Sequence, residues 1–128
     1  MLVMLTLTGC EKDNRTLLTD GVWNFHNLTT DSEDENVNTL IVIAGALMTG
    51  ATMEFQDGGT YIMESPLADQ PTTGDWQLVG TDQLILTPEG ELASTSNIET
   101  LSKSELKYME TFVDEQLNSY TVTTTWTR

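Results

Sequence analysis

The sequence predicts an all-β domain, a sandwich or barrel of short antiparallel strands interrupted by one helix, and three observations predict it. Apolar and polar residues alternate in short runs from Val22 almost to the end of the chain. Turn-forming residues separate these runs at even intervals, most clearly Asp57-Gly58-Gly59, Gly80-Thr81-Asp82 and Pro88-Glu89-Gly90-Glu91. The final run, Tyr120 to Thr127, is dominated by threonine, whose β-branched side chain suits a pleated, half-exposed surface. A period of two puts all apolar residues of a run on one face, so each run needs a sheet to cover that face. Evenly spaced short strands suit a sandwich or barrel better than a parallel sheet with crossovers.

The elements follow in order. Val22 to Leu28 forms the first strand, with Trp23 and Phe25 on its apolar side. Met53 and Phe55 alternate with polar neighbours and run into Asp57-Gly58-Gly59. Asp-Gly supplies the positive φ angles of a tight hairpin turn, and Tyr61 and Met63 return from it. Pro66 to Pro71 is a loop. Asp75 to Leu78 makes the next strand, Gly80-Thr81-Asp82 turns it, and Leu84 and Leu86 come back. Beyond Pro88 to Glu91, three further strands cover Ser94 to Leu101, Leu106 to Val113 and Ser119 to Thr127.

One segment breaks the alternation. Asp31 to Glu35 is acidic and leads into Asn36 through Gly50, which is rich in Leu, Ile, Val and Ala. Ser32 and Glu35 have the spacing of a capping box, and acids favour the positive end of a helix. Val37, Leu40, Ile41, Ala44, Leu47 and Met48 then fall on one helical stripe, which predicts a helix ending near Gly50. The β-branched content of the segment also suits a strand. Its apolar run is shorter than the roughly 20 residues a membrane span requires.

Composition narrows the function. The 128 residues suffice for one domain with a real core. Asp and Glu number 20 against 5 Lys and Arg, a formal charge of −15. Nucleic-acid binding needs Lys and Arg to displace counterions from phosphate, so this balance excludes nucleic acid as a partner. An anionic lipid surface repels the domain for the same reason, so any membrane attachment is covalent or apolar. No cofactor motif is present: there is no Gly-rich phosphate loop and no Gly-x-Ser-x-Gly elbow. The acidic run lacks the alternation and the glycine of an EF-hand, and reads as a solvated helix start. His26, the only histidine, falls opposite Trp23 and Phe25, where neither a catalytic triad nor a zinc site is expected. Glu54 and Glu64 point away from Phe55 and Met63 toward solvent, and exposed carboxylates make poor general acids. The expectation is a protein that is not an enzyme.

The amino terminus has its own chemistry. Met1 to Gly9 is uncharged and mostly apolar, Cys10 is the only cysteine, and Glu11-Lys12-Asp13-Asn14-Arg15 follows abruptly. Leu7-Thr8-Gly9-Cys10 resembles the lipobox of bacterial lipoproteins, in which small residues admit the backbone to a peptidase and the thiol accepts the lipid. The resemblance implies lipidation of Cys10 and a place in the bacterial cell envelope, on the periplasmic or surface side of the outer membrane. Each buried methylene adds about 0.8 kcal/mol of membrane affinity, so several acyl chains make a lasting anchor. The apolar piece carries no Lys or Arg, so the leader is expected to begin upstream of Met1. The alternative is a cytosolic protein with an incidental free cysteine. The expected organisation is a leader remnant over residues 1–9, an anchored linker over 10–18 and the β-domain over 19–128.

Gly21-x-Trp23 on the first strand, Phe55, Asp57 and Gly58 before Tyr61, and Gly74-x-Trp76 before Leu84-x-Leu86 carry a second likeness. Together they resemble the small lipocalin-like domains of secreted lipoproteins, across nearly everything after residue 17. The resemblance implies an eight-stranded, up-and-down antiparallel barrel; the short helix expected between the first and second strands comes from the residues themselves and is not part of that pattern. The barrel's interior or mouth would hold a small apolar ligand. It also implies that Trp23 looks into the closed end, with Arg128 as the candidate to lie across it.

A barrel of eight strands is just wide enough to be filled by its own side chains or to keep one small ligand. Trp23, Phe25, Phe55, Tyr61, Trp76, Tyr108, Tyr120 and Trp126 are expected on the interior face. They either pack a filled core or line a pocket whose mouth the helix borders through Leu40, Ile43 and Leu47. A filled barrel would instead act by contact, using its loops or Leu40 to Met48 against another envelope protein.

Overall fold

Alternation along the chain becomes a closed sheet. The computed structural model describes residues 13–128, and Cys10 lies outside them. Eight strands run up and down in sequence: β1 (Val22–Thr30), β2 (Thr52–Phe55), β3 (Thr60–Glu64), β4 (Thr72–Val79), β5 (Gln83–Pro88), β6 (Ser94–Leu101), β7 (Glu105–Val113) and β8 (Ser119–Thr127). Each pairs antiparallel with the next, and β8 returns to β1 to close the barrel. Thr-rich β8 pairs with β7 along its whole length, from Ser119 opposite Val113 to Thr127 opposite Glu105. Register slips by one residue between Phe25 and Asn27 in β1 and between Ile98 and Thr100 in β6. Such bulges bend strands enough to help a small sheet curl onto itself.

The inward set is the one alternation predicts. Trp23, Met53, Phe55, Tyr61, Trp76, Leu84, Leu106 and Trp126 are buried, while neighbours such as Val22, Glu54 and Asp75 are exposed. Phe55 meets Trp76 edge to face at 5.7 Å and Tyr61 at 6.4 Å. These rings fill the half of the barrel nearest the β2–β3 and β4–β5 turns, the closed end.

A helix, α1 (residues 13–19), plugs that end. Residues up to 18 were expected as linker; the structure corrects this for residues 13–18, because Leu18 is fully buried among the core side chains. The Trp23 indole donates to the Leu18 carbonyl at 3.1 Å, and the Asn14 amide to the Thr81 carbonyl at 3.0 Å. Arg15 lies 4.6 Å above the Trp76 ring while donating to the Asp57 carbonyl. Arg128 lies 3.8 Å above the Trp23 ring and donates to the Lys103 carbonyl at 2.8 Å.

The second helix, α2 (Glu35–Leu47), connects β1 to β2 at the other, open end. Short β2 pairs with β1 only over Val22–Asn24, whereas β8 follows β1 to Thr30. α2 packs beside the remaining length of β1, so close at Gly45 that a Cβ there would stand 3.8 Å from that of Leu28. Two expectations are corrected here. The cap is Asp34, whose carboxylate accepts from the amides of Asn36 and Val37; Ser32 supports it by accepting from the Asp34 amide. The docked face is Val37, Ile41, Ala44 and Met48, while Leu40 and Leu47 are exposed. A helix apolar on nearly every side leaves its docking face undetermined by period alone. Among the described residues no helix is long and apolar enough to cross a membrane.

Candidate functional site

The open end of the barrel holds a partly open pocket. A cavity of about 370 Å³ lies between the last turn of α2 and strands β2 to β8. Met48, Met53, Met63, Leu86 and Pro88 form its apolar wall. Met53 and Met63 stand directly opposite each other on β2 and β3, so register brings their thioethers to one wall. Ser94, Tyr108 and Thr124, from β6, β7 and β8, form a hydroxyl-bearing wall, and Glu91 stands on the rim. Trp126 is the floor: its indole donates to the Tyr108 hydroxyl at 3.1 Å, and Phe25 meets its ring edge to face at 5.6 Å.

Burial sets the ionisation of this wall. Tyr108 is pushed up to about 12, chiefly by desolvation. Tyr61 is also raised, first by burial and then by the charges of Glu91 and Asp75. Two residues beyond Tyr108, Glu110 is half-buried beside Val122 on β8, and desolvation raises its carboxyl above the ordinary value. A period of two keeps Glu110 on the same inner face as Tyr108.

The predicted site residues divide. Tyr61, Tyr108 and Trp126 line the cavity. Trp23, Phe55 and Trp76 pack the closed half below it, and Phe25 buttresses Trp126. Tyr120 stacks on Phe112 at 5.8 Å near the β7–β8 turn. Leu40, Ile43 and Leu47 point to solvent, being 64%, 50% and 53% exposed, and Met48, the residue that caps the end of α2, reaches the cavity. Sequence reasoning weighted aromatic rings and missed the methionines as lining residues, although Met53 and Met63 carry the same alternation. It also missed Glu91 and Glu110, for which nothing in a single sequence distinguishes a rim acid from a solvated one.

A second, open cleft lies outside the barrel between residues 31–34 and the β7–β8 turn, lined by Asp31, Glu33, Asp34 and Asp114. There the Thr121 amide donates to Asp31 at 2.8 Å and holds its carboxyl below the usual range. Among the described residues no group of three or more His, Cys, Asp or Glu is gathered as a metal ion would require.

Residues 19–108 match the family model described as a lipocalin-like domain. The chain belongs to the lipocalin-like domain family. A crystal structure of a DUF4847 family protein from Bacteroides vulgatus ATCC 8482 is similar to this lipocalin-like domain, with a TM-score of 0.53 at 12% identity. The alignment covers 86% of this chain and 95% of that one, a likeness of fold. No curated protein matches the sequence significantly.

Proposed function

We propose that this lipocalin-like domain is a non-enzymatic carrier or receptor that takes one small, largely apolar molecule into its open-end cavity. Acyl chains on Cys10 would hold it to a membrane of the bacterial cell envelope. The carrying observation is the contrast between the two halves: rings fill the closed end, while about 370 Å³ stays open beneath the mouth. Ligand sites fall at roughly 300–1,000 Å³, apolar with a few convergent polar groups, and this cavity has that composition. The lipobox-like Leu7-Thr8-Gly9-Cys10 supports the anchor.

Native mass spectrometry of the protein from its producing organism tests the binding. A single small adduct, lost on collisional activation and absent from Leu86→Trp, is the expected result. A bare mass, together with no one-to-one binding of any apolar probe, overturns it. For the anchor, an alkyne-bearing fatty acid fed to the cells should label the wild type and not Cys10→Ser; equal labelling of both removes Cys10 as the site.

One observation favours a second reading. Leu40, Val42, Ile43 and Leu47 are at least half exposed on the outer side of α2, a surface suited to another envelope protein.

A further inference from the structure

The cavity's electrical surroundings are one-sided. Among the described residues, Arg15, Lys103 and Arg128 gather at the closed end, on α1, the β6–β7 turn and the end of β8. Lys107 and His26 lie outside the barrel wall, together in a shallow groove with Thr123 and Thr125. At the closed end the bases are mixed with Asp13, Asp20, Asp57, Asp82 and Glu105, whereas the open end carries acids alone among the described residues. Its four loops carry Asp31, Glu33 and Asp34, then Asp69, then Glu89 and Glu91, then Asp114 and Glu115. Inside the mouth, Glu91 borders the cavity and Glu110 continues the inner face above Tyr108.

We propose that the molecule held here is an amphipathic cation, a compact apolar body bearing an ammonium group. The body lies among Met48, Met53, Met63 and Leu86, and the ammonium sits at the mouth facing Glu91 and Glu110. The proposal rests on the reading of this cavity as a ligand site and adds the charge of its occupant. Two physical arguments meet. A carboxylate ligand would lose its hydration with no cation to replace it, which is costly. A ring of like charge at a low-dielectric mouth concentrates ions of opposite sign and repels those of the same sign. The raised carboxyl of Glu110 is what an acid half-buried without a cationic partner shows, and a bound ammonium would supply that partner.

Isothermal titration of the full 128-residue chain with three probes of one shape tests this: naphthylmethylamine, naphthylmethanol and naphthoate. The amine should bind one-to-one and tighter than naphthoate by about tenfold or more, with the alcohol between them. The preference should shrink as salt is added. Glu91→Gln/Glu110→Gln should reduce the amine's advantage severalfold while leaving the alcohol's affinity unchanged; Glu99→Gln, exposed on β6 and outside both the cavity lining and the open-end loops, should change neither. Naphthoate binding as tightly as the amine, or an advantage that survives the double variant, overturns the cation while leaving the cavity as a site. Binding of none of the three overturns both readings. Circular dichroism and a melting curve for each variant establish that the barrel is intact.

Discussion

The indole N–H of Trp126 donates to the hydroxyl of Tyr108 at 3.1 Å, across the β7–β8 pair and at the base of the open half of the barrel. This bond lets two large amphipathic rings be buried without orphaned polar atoms, and it spends the tyrosine oxygen as an acceptor. The phenolic proton is left to face Thr124 and the cavity. Tyr108→Phe therefore strands a buried donor and should cost about 1–3 kcal/mol in urea denaturation. An unchanged midpoint would mean that the indole finds another acceptor.

The same burial predicts an alkaline limit. Tyr108 ionises at about 12 in the fold against 10.0 for an unperturbed tyrosine. A raised value contributes stability that is complete below the unfolded value and is lost as pH rises through the folded one. Melting temperature should thus fall between about pH 10 and pH 12, more steeply in the wild type than in Tyr108→Phe. Parallel curves would assign the loss to other groups.

Glu110 gives the opposite region of the pH scale. Burial raises its carboxyl above 4.5, so the folded state binds that proton more tightly than the unfolded chain does. Its contribution is favourable below 4.5 and is lost as pH rises through the folded value. Glu110→Gln should raise the melting temperature at neutral pH, and the gain should close in acid. A gain that persists in acid would come from something other than ionisation.

Gly74 is required by close approach. A Cβ there would collide with the Thr87 carbonyl oxygen and stand 2.8 Å from the Pro88 Cα and 2.9 Å from the Tyr61 ring. Gly74→Ala must part β4 from β5 or displace Tyr61, at about 1–3 kcal/mol. Because Tyr61 and Pro88 line the cavity, probe affinity should fall with stability. A fully stable Gly74→Ala would show that the strands accommodate the methyl group.

At the closed end, Arg128→Met keeps a similar length and removes the cation above Trp23. The loss should be about 0.5–2 kcal/mol, readable by thermal melting, with probe affinity at the far end unaffected. Altered affinity would show that the two ends of the barrel are mechanically coupled.

Much of this protein was legible in its sequence because strand periodicity is a local property. Trp23, Phe55, Tyr61, Trp76 and Trp126 could be placed on the inner face from alternation alone, and Asp57-Gly58-Gly59 marked its hairpin through the φ values that turn needs. The helix was legible as an element and not as an orientation. Its apolar residues surround the axis, so only contact with β1 could decide that Ile41 and Met48 dock while Leu40 and Leu47 face water.

The chain's residue order by itself determined an alternating, strongly acidic all-β domain whose rings must be covered. Tertiary structure alone decided that α1 stoppers one end, that Met48, Met53 and Met63 converge at the other, and that the described loops around that mouth carry acids and no bases. The reason is range. Alternation and turn chemistry act over two to four neighbouring residues, whereas a cavity is the volume left over when strands distant in sequence close on one another, and no local rule specifies it.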